Sequence, residues 1–289
     1  MATSRGVRLA QVGLMVNSVL AIIKLAAGVL GNSYALVADA VESLADLFSS
    51  LVVWRGIAIA QRGENEAYPF GYGKAEAVAS AVVGLMLVAA ALGIGAEAVR
   101  EIRTPHHAPA PFTLLVLIGV VAVKEGLFRF VLKGAEDIGS GAVAADAWHH
   151  RSDAITSLAA FIGISVALVG GSGWESADDV AALLASGIIL FNGSRILRPA
   201  VDELMDRAPV GSLLLAADQA ARAVPGVLAI EKLRGRKHGR NYYLDLHVQA
   251  DPALPLRDAH ILSGMVKTAI RTALPSVANV LVHMEPFEP

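Results

Sequence analysis

The sequence of 289 residues contains no cysteine. This absence excludes disulfide bonds and leaves the redox compartment of the protein undetermined. It also excludes thiolate ligands, so any metal site must be built from nitrogen and oxygen atoms. Charged residues are scarce too, at 17%, and the formal net charge is -2. A nearly neutral chain does not favour nucleic-acid binding or an electrostatic membrane anchor.

Motifs of hydrolytic enzymes are missing as well. The H-E-x-x-H signature of helical zinc proteases is absent, and the chain shows no clear Ser/His/Asp arrangement. We therefore expect a protein that is not an enzyme.

Apolar residues, by contrast, are abundant, at 55% of the chain. A membrane-spanning helix needs about 20 mostly apolar residues, and irregular backbone cannot face lipid. Six apolar runs satisfy this length, at about 8–31, 33–60, 73–100, 112–133, 141–170 and 176–198. The first run is no cleavable signal peptide, because it is too long, contains Asn17 and Lys24 and lacks a small-residue cleavage site. The sequence thus predicts a polytopic α-helical protein of the lipid bilayer.

The distribution of basic residues predicts the orientation of these spans. Cytoplasmic loops carry an excess of Lys and Arg. If the N-terminus is cytoplasmic, the outer loops hold only Arg100 and Arg103, and the inner segments hold Arg5, Arg8, Arg62, Lys74, Arg129, Lys133, Arg195 and Arg198. We expect an integral protein of the cell inner or plasma membrane with both termini in the cytoplasm.

After Pro199 the pattern becomes that of a soluble domain. A helical period covers 212–224, and VLAIEKLRG and NYYLDLHVQA read as strands around an RKHGR turn. A second helix, AHILSGMVKTAIRTAL, and a last strand, NVLVHME, complete an αββαβ order. We expect a transmembrane domain over 1–203 and a small cytoplasmic α+β domain over 204–289, with His238 in a solvated hairpin tip.

Two similar polar segments interrupt the apolar runs. ADAVESLAD at 38–46 lies in the second run, and ADAWHHRSD at 145–153 lies in the fifth. Residues four apart share a helix face, so Glu42 and Asp46 form one ligand pair, and His149 and Asp153 form another. Asp39 and Asp146 lie one turn away from these pairs. Each of these two aspartates has two interpretations. It either lies on the entry path of the metal or supports a ligand from the side, or it lies at a helix end at the depth of the lipid headgroups.

These two pairs predict a metal site between the helices. In a soluble protein the pattern would usually mark a solvated face, but burial in a bilayer removes water as the partner. Neither stripe carries a basic residue, so we expect a divalent cation to neutralise the carboxylates. Four ligands suit tetrahedral Zn²⁺, which we favour. Three carboxylates and one imidazole are also compatible with Fe²⁺ and Mn²⁺, and Co²⁺ and Cd²⁺ stay open.

The chain resembles the cation diffusion facilitators over nearly its whole length. The resemblance rests on the six runs, the two ligand pairs, the YPFGYGKAEA segment before the third run and the VHMEP ending. It implies a homodimeric exporter that exchanges cytoplasmic divalent metal for protons by alternating access, with a metallochaperone-like cytoplasmic domain for regulation and dimerisation. Glu42, Asp46, His149 and Asp153 match the transport site by position. Glu42 departs from the usual Asp or His, which leaves the metal open.

The resemblance also assigns roles outside the four ligands. Lys74 and Asp206 match a pair that links the membrane part to the cytoplasmic domain, although Lys74 could also be a headgroup-facing lysine. Where some relatives have a surface metal site, this chain has Tyr68 and Tyr72 near Asn65, so we expect no complete site there.

Five cytoplasmic residues match regulatory metal positions of the family. Alternation along the last strand puts His283 and Glu285 on one face, as a shared site requires. The alternative is a set of ordinary surface side chains. The residues of this predicted regulatory site are His247, His260, His283, Glu285 and Glu231.

The sequence therefore predicts proton-coupled efflux of divalent metal cations from the cytoplasm. Metal ligands must lose their protons to bind, and an imidazole titrates within the physiological range, so metal and protons compete for one site. The alternative is a membrane-bound metal sensor or assembly scaffold without transport. Transport is favoured because all four membrane positions keep ligand-capable side chains.

Overall fold

The structure is a computed structural model. It describes residues 2–103, 109–138, 141–170, 174, 176–209 and 211–288. Within its helices, the side chains outside this description are those of 2–8, 10, 50, 53, 138, 141–146, 149, 150 and 152.

Six long helices form the first part of the described chain, as the apolar runs predict. They are α1 (Ala2–Leu30), α2 (Tyr34–Ala60), α3 (Ala75–Arg103), α4 (Phe112–Ile138), α5 (Gly141–Gly170) and α6 (Ala177–Leu204). Among the described residues, length and composition alone identify four candidate membrane spans, at Gln11–Leu30, Ala75–Arg103, Asp153–Gly170 and Ala177–Leu204. The remaining two helices, α2 and α4, contain several of the ionisable residues discussed below.

The C-terminal part is the small α+β domain that the pattern predicts. Its elements are α7 (Ser212–Arg222), β1 (Ala229–His238), β2 (Asn241–Ala250), α8 (Leu256–Ala273) and β3 (Val277–Pro286). The sheet has the order β1-β2-β3, with β1 antiparallel and β3 parallel to β2. A parallel pair needs a crossover, and α8 supplies it. Buried faces of α7, α8 and the strands form one apolar core.

Contacts divide the chain into two compact units. One contains residues 1–52 and 82–196, and the other contains 53–81 and 197–289. The second unit therefore joins the segment between α2 and α3 to the C-terminal elements. The domain boundary predicted between 203 and 204 stays a prediction.

The start of α2 is fixed by a carboxylate from another helix. Asp178 on α6 is 2% exposed, and its carboxylate accepts hydrogen bonds from Ser33 Oγ at 2.8 Å and Tyr34 N at 2.8 Å. Ser33 Oγ also accepts a bond from Leu36 N at 3.2 Å. The first N–H groups of a helix lack partners within the helix, so these bonds stabilise its N-terminus.

Candidate metal centre

A buried lysine on α1 binds the first carboxylate of the α2 stripe. Lys24 Nζ lies 2.8 Å from Asp39 Oδ2 and donates to Ser43 Oγ at 2.9 Å. Ser157 Oγ of α5 donates to both oxygens of the same carboxylate, at 2.8 and 3.1 Å. Lys24 and Ser157 are 0% exposed, and Asp39 is 4% exposed. Asp39 is thus held by protein donors from two neighbouring helices.

A second buried lysine, on α4, binds the stripe on α5. Lys124 Nζ lies 3.1 Å from Asp153 Oδ2, with side-chain exposures of 1% and 16%. Breaking such a buried ion pair by removing one partner is strongly unfavourable. The ion pair therefore holds Asp153 of α5 against α4.

The two predicted α2 ligands belong to the same group of charges. Glu42 is half-buried and interacts electrostatically with Asp46 and Asp39 of its own helix, with Asp153 of α5 and with Lys24 of α1. The stripes on α2 and α5 therefore contribute carboxylates to one electrostatic cluster. His149 and Asp146 lie on α5 with side chains outside the described part of the chain.

Two lysines that the sequence analysis did not connect to the stripes also supply positive charge to the carboxylates. Neither stripe contains a basic residue, but Lys24 and Lys124 reach the cluster from neighbouring helices. A lysine inside an apolar run is itself a signal of a buried partner, because ionisable groups at bilayer depth are costly. That signal was present in the sequence for both lysines. What the sequence could not give was the helix pairing that brings them to these carboxylates.

The second candidate centre lies on the cytoplasmic sheet. His247 and His283 are paired across β2 and β3, with ring centroids 5.0 Å apart. Glu285 Oε1 lies 2.7 Å from His247 Nδ1 and 3.6 Å from His283 Nε2. One ligand atom from each of these three residues lies within 4.8 Å of the others, which is close enough to hold one metal ion.

Glu231 lies at the edge of this group. Its carboxylate is 3.9 Å from His247 Nδ1, and it sits at the break in register between Ile230 and Lys232 on β1. Hydrogen bonds with Glu285 and then Lys232 lower the pKa of the Glu231 carboxyl. His260, exposed on α8, is not a member of the three-ligand group among the described residues.

The predicted pair that joins α3 to the C-terminal part is in contact. Lys74 Nζ lies 2.8 Å from Asp206 Oδ1, and both side chains are partly exposed. In the segment before α3, the rings of Tyr68 and Tyr72 lie 4.3 Å apart. Asn65 donates to Tyr72 Oη at 2.9 Å, so these three side chains support one another.

The expectation of a solvated tip at His238 is wrong. The strands continue to His238 and from Asn241, and Gly239, which is buried, turns the chain with a φ of 63°. His238 packs on the ring of Tyr243 and against Gly73. The buried His238 Nε2 has no hydrogen-bond partner among the described residues.

A glutamate at the end of α6 holds the same hairpin. Glu203 accepts hydrogen bonds from Lys237 Nζ and from Gly239 N, both at 2.8 Å. The bond from Glu203 is the main cause that raises the pKa of the Lys237 ammonium. Sequence reasoning missed this contact because Glu203 and the hairpin are more than thirty residues apart in the chain.

Two protein-family profiles match this chain, one in the helical part and one in the α+β domain. The family profile described as "Cation efflux transmembrane domain" matches residues 10–205. A second profile, "Cation efflux protein, cytoplasmic domain", matches residues 216–287. Together they cover both the helical part and the small α+β domain.

Curated relatives are similar over most of their length. The chain is 30% identical to the manganese efflux system protein MneP of Bacillus subtilis, over 97% of this chain and 96% of the relative. It is 32% identical to metal tolerance protein 2 of Oryza sativa subsp. japonica, over 98% of this chain and 79% of that relative. It is also 32% identical to the magnetosome protein MamB of Magnetospirillum gryphiswaldense, over 90% of this chain and 86% of that relative.

Proposed function

This chain belongs to the cation efflux family, whose members are transporters of divalent metals and not enzymes, and we propose that it exchanges cytoplasmic metal for protons. The proposed transport ligands are Glu42, Asp46, His149 and Asp153. The observation that carries this proposal is the hydrogen bond from Ser157 Oγ of α5 to Asp39 of α2, because it holds the carboxylate stripe of α2 against the helix that carries Asp153.

Proton coupling follows from the chemistry of this cluster. Carboxylate and imidazole ligands bind metal only after they lose their protons, so metal binding releases protons and protonation releases metal. Alternating access then exposes a metal-loaded site to the cytoplasm and a protonated site to the other side. We propose a homodimer in the inner or plasma membrane with both termini in the cytoplasm.

The metal that we propose for transport is Mn²⁺. Carboxylate oxygens suit Mn²⁺, and three of the four proposed ligands are carboxylates. A relative of similar length is named for manganese efflux, which supports the same choice. The competing proposal is Zn²⁺, because four ligands also suit a tetrahedral ion. Initial rates with Mn²⁺, Fe²⁺, Zn²⁺, Co²⁺ and Cd²⁺ in proteoliposomes would rank these candidates directly.

Transport is tested with the full-length protein in proteoliposomes that contain a pH-sensitive dye. Glu42→Gln, Asp46→Asn, His149→Ala and Asp153→Asn should each abolish metal-driven proton flux. Glu136→Gln, which neutralises an exposed carboxylate on α4, should retain it. Flux that persists in Asp153→Asn would refute the site. Metal binding without flux in the unmodified protein would favour the alternative, a sensor or scaffold without transport.

For the cytoplasmic sheet we propose a regulatory metal site. His247, His283 and Glu285 supply three ligands within one chain, and Glu231 lies close enough to join them when an ion binds. Metal there would neutralise carboxylates that crowd one another in its absence. We further propose that Lys74 and Asp206 link the start of α3 to the segment that leads into this domain.

A further inference from the structure

A buried lysine lies against one of the proposed transport ligands. Lys124 Nζ is 3.1 Å from Asp153 Oδ2, and the lysine side chain is only 1% exposed. An ammonium group has three donors and no acceptor, so at this depth it requires a carboxylate or similar partner. Metal that binds through Asp153 must therefore share this carboxylate with Lys124 or displace the ammonium group from it.

The charges of the described side chains in the buried cluster match a single divalent cation. Ligands are ionised when metal is bound, so the four carboxylates and two ammonium groups that the structure describes there leave a net charge of -2. One doubly charged ion neutralises this remainder. Without Lys124, the same cluster would have a net charge of -3. The residues counted are Asp39, Glu42, Asp46, Asp153, Lys24 and Lys124.

We infer that Lys124 sets the affinity of the transport site by acting as a tethered counter-cation of Asp153, an inference that rests on the proposed function. In the metal-free protein it holds Asp153 in place and limits repulsion among the carboxylates. In the metal-loaded protein its charge repels the bound ion, and the repulsion is strong because the surroundings have a low dielectric constant. A transport site must bind its ion firmly enough to load and weakly enough to release it. Lys124 shifts that balance towards release.

The test measures Mn²⁺ binding to the full-length protein in detergent by calorimetry at constant pH, with His247→Ala and His283→Ala present in every variant to remove the proposed cytoplasmic site. Lys124→Met and Lys124→Gln remove the charge, and Lys124→Arg keeps it. Lys133→Met is a matched control, because Lys133 is an exposed lysine about two and a half turns further along α4. Asp153→Asn reports separately on the site itself. Size-exclusion chromatography and thermal unfolding show which variants are folded, and the metal-induced rise in Tm gives a second measure of affinity.

The charge-removing variants should lower the Kd for Mn²⁺ by about tenfold or more, which corresponds to about 1.4 kcal/mol. In proteoliposomes they should lower both KM and the maximal rate, because release becomes slow. Lys124→Arg and Lys133→Met should keep the Kd of the unmodified protein. A merely structural role of Lys124 would reduce the rate without tightening binding.

Two failures are distinguishable. If Asp153→Asn loses Mn²⁺ binding while both neutral variants of Lys124 bind with unchanged or weaker affinity, the role of Lys124 is overturned and the transport site stands. If Asp153→Asn binds Mn²⁺ like the unmodified protein, the site assignment is overturned, and this inference is overturned with it.

Discussion

Lys24 Nζ lies 2.8 Å from Asp39 Oδ2, and both side chains are shielded from solvent within the helical part. Ser157 donates to the same carboxylate, so Asp39 already has donors from α1 and α5. Metal would have to displace these bonds to reach it. The pair tethers neighbouring helices to each other, and we expect a transported ion to bind elsewhere.

Single substitutions of this pair should destabilise the protein without removing the metal site. Lys24→Met or Asp39→Leu leaves a buried charge unpaired, which costs about 3 to 5 kcal/mol. The double variant Lys24→Met/Asp39→Leu keeps the net charge of the cluster and should recover most of that loss, as thermal unfolding in detergent would show. It should also keep Mn²⁺ affinity. Loss of metal binding in a folded double variant would make Asp39 a ligand after all.

Asp178 should be a stability residue of the first helical hairpin. Its carboxylate accepts bonds from Ser33 Oγ and Tyr34 N at the start of α2. Asp178→Ala leaves these buried donors without a partner, and we expect a loss of about 1 to 3 kcal/mol in the free energy of unfolding. Glu66→Gln, an exposed change between α2 and α3, should have no measurable effect in the same thermal scan. Equal melting of the two variants would contradict the proposed cap.

Much of the fold could be predicted because it depends on local pattern. Apolar runs of membrane length gave the six long helices, and alternation with turn residues gave the αββαβ order. The spacing of four residues also gave the carboxylate pair on α2, since helix geometry fixes which side chains share a face.

The electrostatic partners could not be predicted because they depend on which helices pack together. Nothing local to Lys124 says that its neighbour is Asp153, twenty-nine residues away on α5. The same holds for Ser157 and Asp39, and for the hairpin at His238, whose burial comes from Gly73 in a distant segment. Hydrophobic periodicity and residue propensity describe a single helix or strand. These contacts, by contrast, depend on which helices and strands pack against each other.

The cytoplasmic group should bind one metal ion per chain independently of the transport site. His247→Ala or His283→Ala removes an imidazole ligand, so the stoichiometry of metal binding to the full-length protein should fall by one equivalent while Asp153-dependent binding persists. His260→Ala is the matched control, because it removes a histidine of the same domain outside the three-ligand group. Equilibrium dialysis measures the stoichiometry. An equal loss in His260→Ala would show that a site with a different composition holds the ion.

The ion pair of Lys237 with Glu203 should contribute stability below the pKa of the lysine. Since folding raises the pKa of Lys237 above its ordinary value of 10.5, the contribution is fully present at pH 8 and is lost as pH rises through the folded value. For this partly exposed pair we expect Lys237→Met to cost up to about 1 kcal/mol at pH 8. Thermal unfolding should show that the stability difference between Lys237→Met and the unmodified protein is smaller at about pH 11.5 than at pH 8. Glu203→Ala should cost more, because it also leaves Gly239 N unpaired.

Gly73 should tolerate no side chain, because the hairpin at His238 packs directly on its backbone. A Cβ added at Gly73 would overlap His238 Cδ2 and lie 2.8 Å from His238 O, and the backbone there cannot yield as a flexible side chain could. Forcing extra volume into such a contact costs about 1 to 3 kcal/mol. Gly73→Ala should therefore lower the thermal stability and increase hydrogen exchange at Gly239, whose N–H is bound by Glu203. Gly63→Ala is the matched control, because nothing lies within 4 Å of the added Cβ there. If the two variants exchange equally at Gly239, the hairpin does not depend on this contact, and His238 is as exposed in solution as the turn motif alone predicts.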